Sequence, residues 1–299
     1  MLSLMPDARC LSADGCPYDG FVPDRVALAA IRRLHGGGVD AAQDLVAVEA
    51  PLSVTARAAG RDATVPLGVT MRTPGDDRDL VLGLLYSERL IRTRDDVLSI
   101  TFTKDDDEAE TAAVELASVI DIEAAARGRA LIGTSACGLC GRLEVERLDV
   151  LAKTAPAAGA VTWPVAFIAS LPARLQAGQA VFAETGGLHA AGLFAPDGTL
   201  VALREDVGRH NAVDKLVGAS LEAGLLPARD ALLAVSGRVA YEIIHKAALA
   251  GVAGVVAVGA PSSLAVRAAQ ATGLTLAGFA RDGRFNLYAG DHRVRGVLQ

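Results

Sequence analysis

The sequence predicts an α/β protein, and three observations support this fold class. Of the 299 residues, 51% are hydrophobic, with abundant Ala, Val and Leu, whereas only 4% are aromatic. In the C-terminal part, short apolar runs alternate with amphipathic stretches across turns that contain Gly and Ser. Repeated β-turn-α units imply a largely parallel sheet that binds ligands at the carboxyl ends of its strands. The N-terminal part instead carries extended segments separated by polar turns.

Residues 1–44 are predicted to form a variable N-terminal extension that is in part disordered. They contain a turn-rich start, a short helical patch around Val26 to Leu34 and a run of three glycines. Cys10 and Cys16 lie in this extension and are interpreted as incidental surface thiols. An accessory metal or redox role for the two cysteines is the alternative.

Residues 45–130 are predicted to form an N-terminal α+β subdomain. Its helix follows an acidic turn at Asp76 and Asp77, and carboxylates there suit the positive end of a helix dipole. The predicted elements are extended segments at 45–56 and 64–71 around a turn at 59–62, a helix through Leu80, Leu84, Leu85 and Leu90, and short strands near 97–102 and 112–116.

Residues 131–299 are predicted to form the α/β domain. Trp163 and Pro164 open a helix that continues to about Ala177, and a hairpin follows around the turn at 196–198. The later predicted elements are a helix through Val213, Leu216, Val217 and Leu221, strands at 231–235 and 255–258, helices at 241–250 and 264–271, and a last strand at 274–279 that turns at 280–284.

Composition and charge exclude several classes of function. No apolar run reaches the ~18 residues that span a bilayer, and the N-terminus lacks the pattern of an export signal. Four cysteines in so long a chain do not form a disulfide framework, so a cytoplasmic location is expected. The net charge of −6 argues against general nucleic-acid binding, which needs a basic face. An anionic small molecule remains compatible, because a few arginines can make a local positive site.

Cys137 and Cys140 form a CxxC pair in a segment of small and flexible residues, GTSACGLCGR at 133–142. Such a loop turns tightly and exposes its sulfur atoms to a large partner. Three chemistries use this spacing: half of a zinc site, a dithiol redox pair, or a nucleophilic thiolate with a helper. The spacing alone does not choose among them.

The rest of the sequence narrows this choice. A structural zinc site needs four ligands, but the chain has no second CxxC and its five histidines are scattered singly. A thioredoxin-like pair follows an early strand in a small βαβ unit, whereas Cys137 lies mid-chain. A reactive thiolate is therefore the favoured interpretation, and no metal is expected. A redox-silent pair of small loop residues is the alternative.

Two turns that follow strands contain serine at the expected helix cap, Ser236 in one and Ser262 or Ser263 in the other. Free N–H groups at such helix starts bind phosphate, although ordinary capping is the favoured explanation of either turn by itself. Neither GxGxxG nor GxxxxGK occurs in the chain, so a dinucleotide fingerprint and a P-loop are both absent.

The richest polar cluster lies at 204–215, REDVGRHNAVDK, just after a predicted strand. On a helix, His210 and Asp214 share one face, and Asn211 and Lys215 share another. So varied a set at a turn favours binding or catalysis over solvation alone. His189 is a second candidate, with a structural role as the alternative, and His245 is interpreted as a packing residue.

A turn near the C-terminus carries two further candidates, Arg281 and Arg284, on either side of an Asp-Gly pair. Two guanidinium groups so placed are suited to bidentate recognition of a phosphate. Coverage of a surface turn is the alternative explanation.

Several motifs, taken together and in order, resemble the FdhD family of sulfur carriers, which are needed to make formate dehydrogenase active. The likeness covers nearly everything from Leu45 to Tyr288. It rests on MRTPGDD (71–77), CGLCG (137–141), TGGLHAA (185–191), REDVGRHNAVDK (204–215), SGR (236–238) and VGAPSSL (258–264).

This resemblance implies a cytidine-deaminase-like fold, with a mixed sheet flanked by helices and a β-rich N-terminal portion, and a homodimer. It implies a sulfurtransferase that takes sulfane sulfur from a cysteine desulfurase and passes it to the molybdenum bis(molybdopterin guanine dinucleotide) cofactor. The cofactor is then a bound substrate, and formate dehydrogenase is the protein served. By the same likeness, Cys137 carries the persulfide and Cys140 assists.

The family likeness also implies cofactor-contact residues. The segment Phe279, Ala280, Arg281, Asp282, Gly283 and Arg284 matches the family's cofactor-contact segment, and the turns at His210 and Ser236 are expected neighbours.

True deaminases of this fold pair a Pro-Cys-x-x-Cys with an upstream His-x-Glu. Here Ala136 precedes Cys137 and no His-x-Glu occurs, so deamination is disfavoured. Two other functions stay open from sequence: a chaperone that delivers the molybdenum cofactor without transferring sulfur, and a zinc-dependent hydrolase that uses both cysteines and a distant histidine.

Overall fold

The computed structural model describes residues 25–105, 110–118, 122, 151–152 and 161–296. Within these residues it confirms the α/β class with a mixed sheet, flanking helices and a β-rich N-terminal portion. The strands are β1 (Val26–His35), β2 (Gly38–Ala47), β3 (Ala50–Ala58), β4 (Val65–Arg72), β5 (Val97–Lys104), β6 (Glu110–Leu116), β7 (Trp163–Pro164), β8 (His189–Phe194), β9 (Leu200–Asp206), β10 (Leu232–Val235), β11 (Gly254–Ala257), β12 (Thr275–Arg281), β13 (Arg284–Ala289) and β14 (Val294–Arg295). The α-helices are α1 (Asp77–Ser87), α2 (Val165–Ala177), α3 (Ala180–Thr185), α4 (Arg209–Glu222), α5 (Tyr241–Ala250) and α6 (Ser263–Thr272).

The main sheet has six strands in the order β13-β12-β11-β10-β8-β9. Only β10, β11 and β12 run parallel, and the other three pairings are antiparallel. The prediction of a largely parallel sheet is therefore wrong. The hairpins β8–β9 and β12–β13 account for two of these antiparallel pairings, since connections this short join antiparallel neighbours. The third pairing joins β8 to β10, which β9 and α4 separate in the chain.

Alternate residues of the main-sheet strands contribute to two separate cores. Leu233 and Val235 of β10 pack with α4, α5 and α6 on one face. Leu232 and Ala234 pack with α2 and Trp163 on the other. Successive side chains of a strand point to opposite faces of the sheet, so both faces of β10 are covered. β10 is therefore a central strand of the protein core.

The smaller sheet, ordered β4-β3-β6-β5, packs one face on α1. The other side of α1 lies against α4, so α1 joins the two sheets. At this crossing the helix backbones touch, because a side chain at Gly83 would overlap the carbonyl group of Asp214, and one at Gly218 would overlap that of Asp79. Both glycines are required by the close approach and not by an unusual backbone angle.

The segment around Val26 to Leu34 forms strand β1, so the predicted helical patch is wrong. Gly36 and Gly37 are the two-residue turn of a hairpin in which His35 faces Gly38. Paired glycines between two chain segments favour such a turn. At its base the hairpin packs on Val181 and Leu188, and this contact favours the extended form over a helix.

The described elements agree with most other sequence predictions. Helix α5 has the predicted bounds, and α2, α6 and the hairpin around 196–198 lie where they were expected. Strand β2 runs across position 44, where the N-terminal extension was predicted to end. The division at 1–44, 45–130 and 131–299 stays a prediction.

Candidate functional site

The carboxyl ends of the parallel strands are joined into one continuous backbone surface. Gly259 N–H, after β11, donates to Gly237 O, after β10, at 3.2 Å. Phe279 N–H, in β12, donates to Gly259 O at 3.1 Å. The start of β8 and the end of β9 complete the surface, since His189 pairs with Asp206. We call this surface the carboxyl edge; it comprises residues 189, 207–210, 236–239, 258–262 and 279–284.

One end of the carboxyl edge is a hairpin that we call the Phe279 hairpin, residues 279–284. Phe279 has a left-handed backbone, φ 52°, at an irregularity in the β12–β13 pairing. Its side chain is 41% exposed, whereas the next residue, Ala280, is completely buried. Few non-glycine residues adopt this backbone region, so the structure holds an aromatic ring at the surface against a conformational cost.

The tip of the Phe279 hairpin places two arginines side by side. Arg281 and Arg284 are paired residues of β12 and β13, and Asp282 and Gly283 both have positive φ at the turn between them. Both arginines are exposed. Neighbouring guanidinium groups beside an exposed ring are suited to a phosphate attached to a planar base.

The other end of the carboxyl edge holds a group of three side chains that we call the histidine cluster: His189, Arg209 and His210. A Cβ atom placed on Gly237 would lie 3.3 Å from His189 Nδ1 and 3.5 Å from Arg209 Cβ, so Gly237 lies between the two side chains. Among the described residues, His210 Nε2 and Arg209 Nε are buried and have no hydrogen-bond partner.

Burial controls the charge of both histidines. Desolvation, and then the positive charges of Arg209 and Lys246, lower the pKa of His210 to about 4. Desolvation, and then Arg209, also lower the pKa of His189. His210 is therefore a neutral imidazole at pH 7, and Arg209 supplies the positive charge of the cluster.

Ser236 has a different role from the predicted helix cap. Helix α5 begins only at Tyr241, and its cap residue, Ala240, has no side-chain cap bond. Ser236 Oγ instead accepts from Ala190 N–H at 2.9 Å and lies 3.4 Å from His189 Nδ1. The prediction for the second turn is confirmed, since Ser262 Oγ accepts from the N–H of Ala265 at the start of α6.

Four arginines line the carboxyl edge: Arg209, Arg238, Arg281 and Arg284. In the described part of the chain, none of them forms an ion pair with a carboxylate. Glu242 and Asp282 lie nearby in sequence but do not pair with them. The carboxyl edge is therefore positively charged on a protein whose net charge is −6.

Much of the polar cluster at 204–215 is structural. The Glu205 carboxylate accepts from the N–H groups of Val181 and Phe182 at the start of α3. Asp206 Oδ1 accepts from Asn211 Nδ2 at 3.1 Å, and Asp206 Oδ2 lies 2.8 Å from Lys215 Nζ. Asn211 and Lys215 share a helix face, as predicted, but that face is buried.

A second buried pair removes Asp214 from the candidate site. Lys246 Nζ lies 2.6 Å from Asp214 Oδ1, which also accepts from Ser87 Oγ at 2.9 Å. His245 lies on the same helix as Lys246, and its Nε2 is 3.2 Å from Ser87 O. These contacts hold α1, α4 and α5 together. Of the polar cluster at 204–215, only Arg209 and His210 remain available to a ligand.

Sequence analysis missed two contributors to the carboxyl edge, Gly237 and Arg238. They lie in the SGR motif directly after a strand. This position could have identified them, because ligands of α/β sheets bind at the carboxyl ends of the strands. Cys137 and Cys140, and also Cys10 and Cys16, lie outside the described residues.

Neither a metal site nor a membrane-spanning helix is found among the described residues. No described group of His, Cys, Asp and Glu side chains has the geometry to hold a metal ion. No described helix has both the length and the apolar character needed to cross a bilayer.

Comparisons with known proteins give one consistent result. The sequence model of the FdhD/NarQ family matches residues 47–295. A protein of Nocardia farcinica named sulfur carrier protein FdhD is 45% identical over 269 residues, which cover 89% of this chain and 93% of the relative. Relatives of the same name from Streptomyces avermitilis and Mycobacterium tuberculosis are 42% and 38% identical, each over 88% of this chain and over 93% and 96% of their own lengths.

A solved structure gives the same architecture. A protein from Desulfotalea psychrophila, described as a candidate formate dehydrogenase accessory protein, superimposes with a TM-score of 0.67. The match covers 90% of this chain and 99% of that one at 22% sequence identity, and at this identity it supports the fold alone.

Proposed function

This chain belongs to the FdhD/NarQ family, and from that membership we propose that it is a sulfur carrier that serves a formate dehydrogenase. Cys137 accepts sulfane sulfur from a cysteine desulfurase as a persulfide. The sulfur then passes to the molybdenum bis(molybdopterin guanine dinucleotide) cofactor, which is bound as a substrate. The name shared by the Nocardia and Streptomyces relatives, sulfur carrier protein FdhD, supports the carrier role.

The proposed chemistry has two balanced steps. In the first, the Cys137 thiolate attacks the terminal sulfur of the desulfurase persulfide, and the desulfurase thiolate leaves. In the second, which takes place once the cofactor is bound, the Cys140 thiolate attacks Cys137 Sγ and releases hydrosulfide, which the cofactor accepts. Sulfane sulfur needs two electrons to become sulfide, and oxidation of the two thiols to a disulfide supplies both.

The cofactor part of the proposal is supported by the row of four arginines along the carboxyl edge, which have no carboxylate partner among the described residues. Six strands at ~4.8 Å spacing give this edge a width of roughly 24 Å. Such an edge suits a long ligand with several phosphates. Ligands of open α/β sheets also bind outside the carboxyl ends of the strands.

In this proposal, the predicted cofactor-contact residues of the carboxyl edge bind this ligand. Phe279 stacks on a guanine, and Arg281 and Arg284 bind the attached phosphates, with Ala280, Asp282 and Gly283 shaping the hairpin. His210 and Ser236 belong to the other end of the edge. Ser236 acts indirectly there, because its hydroxyl is bound to a backbone N–H and positions the ring of His189.

The first test is intact mass spectrometry after incubation with a cysteine desulfurase and cysteine. The wild-type protein should gain one sulfur that a reductant removes. Cys137→Ala should lose this gain, and Cys140→Ala should retain it. A gain that persists in Cys137→Ala would contradict the assignment of the persulfide residue.

The same experiment separates the alternative function, a delivery chaperone for the molybdenum cofactor that transfers no sulfur. That function needs the carboxyl edge but not the thiols. A protein that binds GDP, used as a probe for the guanine nucleotide end, but gains no sulfur in any variant would support the chaperone and exclude the carrier.

We also propose where the protein acts and in which oligomeric state. The protein acts in the cytoplasm as a homodimer, where thiols stay reduced and a desulfurase can reach Cys137. Sedimentation equilibrium would test the assembly, and a monomer at micromolar concentration would exclude the homodimer.

A further inference from the structure

The histidine cluster contains two buried polar atoms that the fold itself does not use. The described residues have five buried side-chain nitrogens without a hydrogen-bond partner, and two of them are Arg209 Nε and His210 Nε2. Leaving a buried donor or acceptor unsatisfied costs about 1–3 kcal/mol. Arg209 and His210 are adjacent, each has a buried nitrogen without a hydrogen-bond partner, and both lie at the proposed ligand-binding edge. This arrangement indicates that a bound group supplies the missing partner.

The cluster is also held in place by contacts on several sides. The ring of His189 lies against Gly237 and near the hydroxyl of Ser236, which is itself fixed by the N–H of Ala190. Arg209 and His210 belong to helix α4, which the buried pair between Asp206 and Lys215 anchors. A preorganised group of donors binds with little loss of side-chain entropy.

The donors of the cluster define the chemistry of the missing group. Arg209 provides one positive charge, and the two imidazoles provide hydrogen bonds. We infer that His189, Arg209 and His210 form a second anion subsite, separate from the Phe279 hairpin, that binds the anionic oxygens of a phosphate or an oxo-metal group. This inference rests on the proposed function, because it assigns one end of the same edge to the part of the ligand away from the guanine.

The two subsites are too far apart to share a small anion. Strand β8, which begins at His189, is three places from β12 in the main sheet, or roughly 14 Å at ~4.8 Å per strand. A diphosphate, in which one oxygen bridges two phosphorus atoms, does not span that distance. Each subsite therefore binds its own group, and a ligand that fills both is anionic at points separated by the width of several strands.

Binding of simple anions tests the inference without any enzyme activity. Calorimetric titrations would use pyrophosphate and molybdate as separate probes of phosphate and oxo-metal chemistry, and GDP as the probe of the hairpin. We expect His210→Leu to weaken binding of at least one of the two anions more than about tenfold, since it removes a hydrogen bond to a charged group. His210→Gln should stay within about threefold of wild type, because its amide retains a donor.

Two controls make the result specific. His292→Gln removes an exposed histidine from the turn that follows β13, at the opposite end of the sheet, and should leave all three affinities unchanged. Substitution of Arg281 and Arg284 by Gln should weaken GDP binding and leave the anion affinities of the histidine cluster within about twofold. The pair of controls separates the two subsites.

A further variant keeps the test valid if His210→Leu fails to fold. Gly237→Val fills the space between His189 and Arg209 without removing a donor, and it should weaken the same anion more than about tenfold. The inference is overturned if wild type binds neither anion, if both His210→Leu and Gly237→Val bind normally, or if the hairpin substitutions abolish anion binding equally. If the anions bind as expected but Cys137 gains no sulfur, the anion subsite is supported and only the proposed sulfur transfer is excluded.

Discussion

Lys215 Nζ lies 2.8 Å from Asp206 Oδ2, and both side chains are completely buried. Asp206 ends β9, whereas Lys215 lies within α4, so the pair fixes the helix to the main sheet. Lys215 Nζ also donates to Thr73 O at 2.7 Å, which extends the contact to the chain just before α1. The helix that presents Arg209 and His210 is thus positioned by a buried charge pair.

Removal of one partner of this pair should destabilise the protein strongly. We expect Lys215→Met to lower the free energy of unfolding by about 3–5 kcal/mol, because it leaves the Asp206 carboxylate buried without its counter-charge. Urea denaturation would measure the change. Arg78→Ala, which removes a surface pair with Glu222, should cost no more than about 1 kcal/mol. Equal losses in the two variants would contradict the structural role.

The crossing of α1 and α4 should not tolerate a side chain. We expect Gly83→Ala and Gly218→Ala each to lower the free energy of unfolding by about 3 kcal/mol or more, because the added methyl overlaps a backbone carbonyl that cannot move by rotamer change. Thermal unfolding would test this. Gly36→Ala is the control, since a Cβ there meets no atom within 4 Å. A Gly83→Ala protein as stable as this control would show that the helices can separate.

His210 should make stability depend on pH in a defined window. Its pKa is about 4 in the folded protein and 6.5 as the unperturbed value, so between these values the unfolded chain binds a proton that the folded protein does not. Stability therefore falls as the pH is lowered from 6.5 towards 4, by at most about 3 kcal/mol. His210→Gln should remove this part of the pH dependence.

Comparison with His292→Gln isolates the effect of His210 on stability. Urea unfolding at several pH values would give the slope of the free energy of unfolding against pH. His292→Gln should have the same slope as wild type. If His210→Gln also retains the wild-type slope, the imidazole is not kept neutral by burial.

Phe279 should contribute to ligand binding at the expense of stability. Asn adopts the left-handed region more readily than Phe, so we expect Phe279→Asn to leave the melting temperature unchanged or higher. The same variant should weaken GDP binding about tenfold or more, since stacking on an aromatic ring contributes roughly 1–3 kcal/mol per base.

A similar substitution elsewhere controls for loss of an exposed aromatic side chain. Phe102 of β5 is 42% exposed, comparable with Phe279, and lies on the smaller sheet. Phe102→Asn should leave GDP affinity unchanged. Equal weakening in both variants would argue against a specific stacking role for Phe279.

Local patterns allowed the C-terminal helices to be predicted almost to the residue. Helix α5 lies between glycine-containing turns and has an apolar face, and these signals are contained in the sequence itself. Strand direction in the main sheet depends on which distant segments meet, so β8 and β9 could not be placed from pattern. The hairpin at Val26 was missed because an alanine-rich segment fits either period until its partner is known.

The candidate site was predicted in residue type but not in role. Asn211 and His210 are adjacent and equally polar, yet one is bound to Asp206 and Met71 while the ring nitrogen of the other is free. The difference arises from a contact with Met71 of β4, which is 140 residues away in the sequence, and from one with Asp206 at the end of β9. The sequence shows that Arg238 follows a strand. Its significance comes from the structure, in which no described acidic residue pairs with it.

The crossing of α1 and α4 also affects how the protein is made. Helix α1 is complete at Ser87, whereas α4 is complete only at Glu222. At ~5–20 residues per second, the ribosome takes on the order of ten seconds to produce the intervening chain. During that time the nascent smaller sheet can cover one side of α1, but the side that contains Gly83 has no counterpart. This side of α1 can be covered only after α4 has been made.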